Sequence, residues 1–302
     1  MTDLSSYSLS TAWNYRKHRD AKGMADEIKS LGFDSVELNF ALTESQVNDF
    51  VKLRDSGYIK ISSTHNFCPL PNGAEPSIAS PEYYSLSSLE DNERSLAVKF
   101  TKRSMDIAKR LGAPALVLHL GSLRIKDRTT KLFTALNRSE LEKAKREALH
   151  ERTMQAKPFL DKAKESLEDL LRYAERIDLS IALENRYYIR ELPSLEEFKI
   201  IFELFDSKHL GYWHDTGHAQ IYENLYIHKH EDYLEALSNN LIGVHLHDII
   251  MFDDHRAPGC GEFDFKRLRP YLKPGTIKVI EAHRKVAAGE IKVSLSYLKR
   301  VL

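Results

Sequence analysis

The sequence has only two cysteines, Cys68 and Cys260, and they do not form a Cys-x-x-Cys pair. A disulfide scaffold needs several cysteines at short spacings, and a thiolate zinc site needs cysteines in close pairs. The sequence therefore argues against both kinds of structure.

The chain also has no excess of charge of either sign. Lys plus Arg number 44 and Asp plus Glu number 44 among 302 residues, so the formal net charge is zero. No global field draws the protein to nucleic acid or to an anionic membrane. There is no apolar signal region at the start of the sequence and no apolar run of transmembrane length. We therefore expect a cytoplasmic protein with neither a membrane nor a nucleic-acid partner, and the oligomeric state stays open.

Six short apolar segments each end on a residue type that binds divalent metals. The segments are 58–64, 115–118, 180–183, 210–214, 241–244 and 277–280, and the residues that follow them are His65, His119, Glu184, Asp215, His245 and Glu281. Asp, Glu and His make up about a fifth of the chain, so six such residues in a row have a chance probability on the order of one in ten thousand. The pattern indicates a metal centre.

The same segments define the expected fold. Short runs rich in Ile, Val and Leu are typical of strands buried on both faces, and helical periods lie between them. With two earlier strands at 8–11 and 35–39, the pattern predicts an α/β fold, a (β/α)8 TIM barrel, with a single domain over residues 1–302. The carboxyl ends of all strands in such a barrel meet on one face, so the six residues would surround one cavity.

The region 121–177 is longer than a minimal barrel unit requires. Ser139 and Glu142 have the spacing of a capping box, and Pro158 interrupts the helical pattern that follows. We interpret this region as a helical insertion after strand 4, followed by the usual covering helix.

Two local clusters add candidate ligands. Gly217 turns the chain after Asp215, which returns His218 to the same mouth, and Asp253 and His255 lie in a loop rich in Pro and Gly. Residues two apart in an extended loop point the same way, so Asp253 and His255 form a predicted clamp. Nine candidates exceed the four to six ligands of one ion, which indicates two or three ions that share a carboxylate. Candidate substrate contacts are Glu37, Arg124, Lys126, Arg186, His247 and Arg256.

Together these landmarks resemble the xylose isomerase-like TIM barrel superfamily, which includes sugar and sugar-phosphate isomerases and epimerases and the endonuclease IV type of nuclease. The resemblance rests on Glu37, His65, His119-Leu-Gly121, Leu183-Glu184-Asn185, Asp215-Thr-Gly-His218, His245-Leu-His-Asp248, the loop from Asp253-Asp-His255 to Gly261, and Glu281. It implies that one metal in the isomerases is held by the residues matching Glu184, Asp215, His245 and Glu281. In the nucleases, the residues matching all nine candidates hold three zinc ions.

The chemistry of a metal flanked by carboxylates leaves three enzyme classes open. Moving a hydrogen beside a carbonyl needs a Lewis acid and a base, and Glu184 and Glu281 are the expected proton-transfer residues. We expect a metal-dependent isomerase or epimerase acting on a small carbohydrate or a phosphorylated one. The alternatives are a multinuclear zinc phosphoester hydrolase and a metal-dependent lyase or dehydratase. Five histidines with four carboxylates suit Zn²⁺ or Fe²⁺ best, with Zn²⁺ the expected metal, while the core four residues alone would accept Mn²⁺, Co²⁺ or Mg²⁺.

Overall fold

The computed structural model describes residues 7–283 and 285–302. The bounds of the eight predicted strands agree with the structure to within two residues at each end. The strands are β1 (Tyr7–Ser10), β2 (Ser35–Leu38), β3 (Lys60–His65), β4 (Ala115–Leu118), β5 (Ser180–Glu184), β6 (Leu210–Asp215), β7 (Leu241–Leu246), β8 (Asp248–Ile250), β9 (Asp253–Arg256) and β10 (Ile277–Ile280). The helices are α1 (Ala21–Ser30), α2 (Glu44–Asp55), α3 (Asp91–Arg110), α4 (Thr129–Phe133), α5 (Arg138–Ile177), α6 (Leu195–Leu204), α7 (Thr216–Asn224), α8 (His230–Leu237) and α9 (Ala288–Val301).

Eight of these strands form a closed parallel barrel in the order β1-β10-β7-β6-β5-β4-β3-β2, which confirms the predicted TIM barrel. The remaining two, β8 and β9, form an antiparallel hairpin directly after β7. Register aligns the strand ends: Asp215 pairs with His245, and His245 pairs with Val279. Side chains at neighbouring carboxyl ends therefore stand at the same height above the barrel.

The barrel strands are buried on both faces, as their near-continuous apolar sequence predicts. Along β4, Ala115 and Val117 pack inside the barrel with Trp213, whereas Leu116 and Leu118 join the cluster beneath the helices. This alternation is the packing that a parallel sheet covered by helices requires. Within the described residues, no helix has the length and apolarity needed to cross a bilayer.

The segment between β4 and β5 differs in detail from the prediction. Helix α5 runs for 40 residues straight through Pro158, so the expected break between an insertion and a covering helix does not occur. Pro158 and Met154, whose carbonyl the proline leaves unbonded, are both exposed, so water can satisfy that carbonyl. The helix begins at the cap Asn137 rather than at Ser139. Its first half is anchored by buried Arg152, which donates to the Ile189 carbonyl.

Packing inside the barrel depends on glycine at one position on β7. A Cβ at Gly243 would lie 2.3 Å from the ring of Trp213. We expect Gly243→Ala to lower the free energy of unfolding by roughly 1–3 kcal/mol through overpacking. Gly289→Ala is the matched control, because nothing lies within 4 Å of its Cβ position. Urea denaturation of both variants measures the difference, and equal stability would show that the ring can move aside.

Candidate metal centre

The centre of the barrel mouth is an imidazole nitrogen surrounded by three carboxylates. Nδ1 of His245 lies 2.6 Å from Oε1 of Glu184, 3.2 Å from Oε2 of Glu281 and 3.8 Å from Oδ2 of Asp215. The four ligand atoms lie within 4.8 Å of one another, and all four residues are buried. Four strand ends, those of β5, β6, β7 and β10, supply this group, which the sequence predicted.

The other nitrogen of His245 fixes how the ring is used. Nε2 lies 3.1 Å from each carboxylate oxygen of Glu37, which also accepts a hydrogen bond of 2.7 Å from Ser63. Carboxylates only accept, so without a metal both nitrogens donate and the ring is an imidazolium, while a metal ion at Nδ1 would take the place of that proton. Glu37 was predicted to bind substrate. That prediction is wrong, because the fully buried carboxylate lies behind the histidine and positions it.

A second group lies on the β3 and β4 side of the mouth. It consists of His65, His119 and Glu184. Nδ1 of His65 lies 3.2 Å from the Asn66 carbonyl and so donates to it, which leaves Nε2 facing Glu184 at 3.4 Å. Nε2 of His119 lies 2.7 Å from the same carboxylate oxygen. Glu184 therefore belongs to two groups at once.

A third group lies at the opposite edge and contains Asp215, His218, His247 and His255. Nδ1 of His218 is 3.0 Å from the Asn185 carbonyl and donates to it, so Nε2 faces the group. Nε2 of His255 lies 3.6 Å from Glu281, which links this group to the central one. The sequence predicted His218 and His255 here.

The predicted clamp of Asp253 and His255 does not form. Asp253 is exposed and pairs with Arg256, whereas Oδ2 of Asp254 lies 3.0 Å from Nδ1 of His255 and 3.9 Å from Nε2 of His218. His255 has a φ of 54°. Alternation of side chains holds only in extended backbone, so this left-handed residue brings its neighbour Asp254, and not Asp253, to its own side.

His247 was predicted to contact substrate, and its position contradicts this. Its Nδ1 accepts a hydrogen bond of 2.9 Å from the backbone N–H of His255, so Nε2 carries the proton and donates to both oxygens of Asp215 at 2.9 Å. The ring is fully buried. His247 therefore orients Asp215, in the way that outer groups orient metal ligands.

The basic residues after His119 lie on the surface. Arg124 is exposed and pairs with Glu90 and Glu93 of α3, and Lys126 is exposed. A cavity of about 470 Å³ instead opens beside His255 on the β1 and β10 side. Its lining includes Arg16, Asn39, Asp254, Arg256, His283 and Lys285. Arg124 and Lys126 do not belong to this lining, so the anion site expected there stays a prediction, while Arg256 does line the cavity.

Arg186 is buried beside His119 rather than exposed to substrate. Its Nη1 contacts Nε2 of His119 and lies 3.6 Å from Oε2 of Glu184, and its Nη2 lies 2.8 Å from Oε1 of Glu191. The sequence predicted a substrate contact for Arg186, and the structure gives it protein partners instead.

Electrostatics around the central group favour a cation. Burial opposes ionisation of Glu184 and Glu281, but the imidazoles of His245, His119 and His255 outweigh burial and hold the pKa of both carboxyls well below the usual range. Burial lowers the pKa of His245, yet Glu281, Glu37 and Glu184 together raise it well above its usual value. Three ionised carboxylates this close need compensation that one imidazolium supplies only in part. A divalent cation that replaced the Nδ1 proton would supply two charges in place of one, so the residues fit a metal ion.

Sequence reasoning missed two residues that shape this centre. Asn185 accepts a hydrogen bond of 2.7 Å from the Asp215 backbone N–H and one of 2.9 Å from the Tyr212 hydroxyl, and so fixes the turn that carries Asp215. Asp254 lies next to Asp253, which was predicted as the metal ligand instead. The only signal for Asn185 was its position directly after Glu184.

Fold and site together define a TIM barrel with a carboxylate- and histidine-rich centre at the carboxyl ends of its strands. The model of the xylose isomerase-like TIM barrel family matches residues 25–300, and the chain belongs to this family.

Several known proteins are similar to the chain. An uncharacterized protein, y4fM, of Sinorhizobium fredii is 21% identical over 273 residues, which cover 84% of this chain and 79% of that protein. The crystal structure of a D-tagatose 3-epimerase-like protein has a TM-score of 0.71 at 21% identity, covering 98% of this chain and 96% of that one. The 3-keto-D-glucoside 4-epimerase YcjR of E. coli has a TM-score of 0.70 at 17% identity, covering 98% and 99%. The IOLI protein, described with a bound zinc atom, has a TM-score of 0.66 at 13% identity, covering 97% and 96%. At these identities the likeness shows the fold.

The hairpin offers a matched test at two adjacent positions. We expect Asp254→Asn to weaken zinc binding by about tenfold or more, because it removes a carboxylate beside His218 and His255. Asp253→Asn should leave zinc binding unchanged, since its side chain points to solvent. Isothermal titration of both variants at one pH measures this. An equal loss in both would show that the hairpin contacts described above do not determine metal affinity.

Proposed function

We propose that the chain is a metal-dependent sugar or sugar-phosphate isomerase or epimerase, carried by a single barrel domain. The observation that supports this most is the convergence of the Glu184 and Glu281 carboxylates on the His245 and Asp215 group. The epimerases among the similar structures are consistent with it. A divalent cation held by these four residues would polarise the carbonyl of a bound sugar.

Glu184 and Glu281 have the arrangement that proton transfer beside a carbonyl needs. They follow β5 and β10, which lie three places apart in the ring of eight strands, so they approach the space between them from different sides. Their depressed pKa values keep both carboxylates ionised at neutral pH, ready to accept a proton. One carboxylate would remove the proton next to the carbonyl, and the other, after taking up a proton from solvent, would deliver that proton to the opposite face of the carbon.

The cavity beside the centre suits a small substrate. Its volume of about 470 Å³ lies within the range of small-molecule sites. Asn39, Asp254 and His283 offer hydrogen-bonding groups to hydroxyls, and Arg16, Arg256 and Lys285 offer positive charge. We propose that these three cations, and not Arg124 and Lys126, meet the phosphate of a phosphorylated substrate.

A phosphoester hydrolase is the second candidate. It is favoured by one specific observation: His65 with His119, and His218 with His255, form two further groups that share Glu184 and Asp215 with the central one. Two or three ions bridged by carboxylates suit phosphoester hydrolysis, with zinc as the expected metal. Lyase or dehydratase chemistry would use the same central ion with a different substrate.

The test measures exchange of the hydrogen beside the substrate carbonyl with solvent. Metal-free protein is supplied in turn with Mn²⁺, Co²⁺, Zn²⁺ or Mg²⁺ and incubated in D₂O with ketohexoses, aldoses and their phosphates. We expect metal-dependent incorporation of deuterium beside the carbonyl, detected by NMR, and formation of the epimer or isomer. Glu184→Gln and Glu281→Gln should each lower the rate about 10²–10⁴-fold, because each removes a proton-transfer group. Glu184→Gln should also lower the bound metal.

Glu235→Gln, on the exposed face of α8, is the control and should keep full activity. Metal-dependent hydrolysis of bis(4-nitrophenyl) phosphate without deuterium incorporation into any of the sugars would contradict the isomerase proposal and support the hydrolase. Full metal and normal turnover in Glu184→Gln would remove that residue from both.

A further inference from the structure

We propose that the guanidinium of Arg186 keeps the group of His65, His119 and Glu184 free of metal, so that this chain does not hold three ions. The inference rests on the proposed function only in taking the central group to bind a metal. It also restricts the second candidate function, because a hydrolase on this chain would then have at most the ion at the central group and one beside His218.

Nε2 of His119 is the nitrogen through which this residue could bind a metal, because it faces Glu184. A neutral imidazole has one unprotonated nitrogen, and that nitrogen has one lone pair in the plane of the ring. Nη1 of Arg186 contacts this nitrogen and Oε2 of Glu184 lies 2.7 Å from it, so protein atoms already fill the space around Nε2, and arginine, which only donates, cannot serve as a metal ligand there. An ion bound to the same nitrogen would lie about 2.0–2.1 Å from it, in the space that Nη1 fills.

Arg186 is held in this place by the protein around it. Its Nη2 lies 2.8 Å from Oε1 of Glu191 and 3.4 Å from Oε1 of Glu82, and the side chain is buried. Glu191 is itself fixed, because its other oxygen accepts a hydrogen bond of 2.8 Å from the Tyr188 backbone. A hydrogen-bonded, buried guanidinium does not move aside without leaving these carboxylates uncompensated.

Charge acts in the same direction as geometry. Arginine stays protonated throughout the accessible pH range, so its positive charge beside His119 and Glu184 is permanent. It already compensates Oε2 of Glu184, which lies 3.6 Å away, and it would repel a divalent cation brought to the same oxygen.

The other two groups have no such obstacle among the contacts of the described residues. Nδ1 of His245 faces only carboxylates, and Nε2 of His218 faces Asp254. The centre therefore has room for an ion at Glu281 and for a second beside His218, while the site beside His119 is filled by the protein's own cation.

The experiment counts zinc ions per chain by elemental mass spectrometry, after saturation and gel filtration. We expect Arg186→Met to bind one more ion than the wild type, and His119→Gln added to that variant to remove the extra ion. Arg124→Met, which deletes an exposed arginine from the neighbouring loop, should leave the count unchanged. Cobalt spectra of the Arg186→Met protein should show a histidine-ligated ion that the wild type lacks.

His119→Gln in the wild-type background decides the question even if Arg186→Met folds poorly. An unchanged ion count in His119→Gln supports the proposal, and the loss of one ion overturns it. Three ions in the wild type, or no gain in a folded Arg186→Met protein, would also overturn it. If Glu281→Gln removes no ion from the wild type while Arg186→Met still gains one at His119, the inference stands and the proposed function fails.

Discussion

The convergence of three buried carboxylates on one imidazole nitrogen is the constraint on which the rest of this structure depends. Glu184, Asp215 and Glu281 would repel one another if they were brought together without a positive charge, and the imidazole of His245 lies between them. The barrel provides what is needed to hold them, since parallel strands in register place side chains of separate segments at one height. The fold that brings these carboxylates together therefore also concentrates negative charge, and a bound divalent cation would compensate that charge.

Around this centre, protein oxygens decide which nitrogen of each histidine faces inward. The Asn66 carbonyl holds His65, the Asn185 carbonyl holds His218, and the Glu37 carboxylate holds His245, each on the nitrogen away from the centre. The opposite nitrogen faces the carboxylates, where a metal ion could take the place of its proton. Such outer contacts set the tautomer and orientation of metal ligands. We infer the opposite effect for Arg186, because it contacts the inward nitrogen of His119 instead of the outward one.

The features of the fold and the site that the sequence predicts are those whose pattern lies within a short stretch of chain. Strand positions and residues at strand ends were predictable, because burial on two faces leaves a continuous apolar run and the polar residue after it lies at the barrel mouth. The partners of Glu37 and Arg124 could not be predicted, since they depend on which segments the closed barrel brings together. Asp254 was missed in favour of Asp253, because a single left-handed residue reversed the expected alternation. Helix α5 continues through Pro158 because solvent accommodates the lost hydrogen bond, which no local pattern reveals.

The central claim is that an ion binds between Glu184, Asp215, His245 and Glu281, and diffraction tests it most directly. Crystals grown with Mn²⁺ or Zn²⁺ give an anomalous difference map at the absorption edge of the metal. The account predicts a peak within coordinating distance of these four residues, at about 2.0–2.2 Å from their ligand atoms for zinc. A well-occupied map with no peak among the four residues, or with peaks only at His65 and His119, would contradict it.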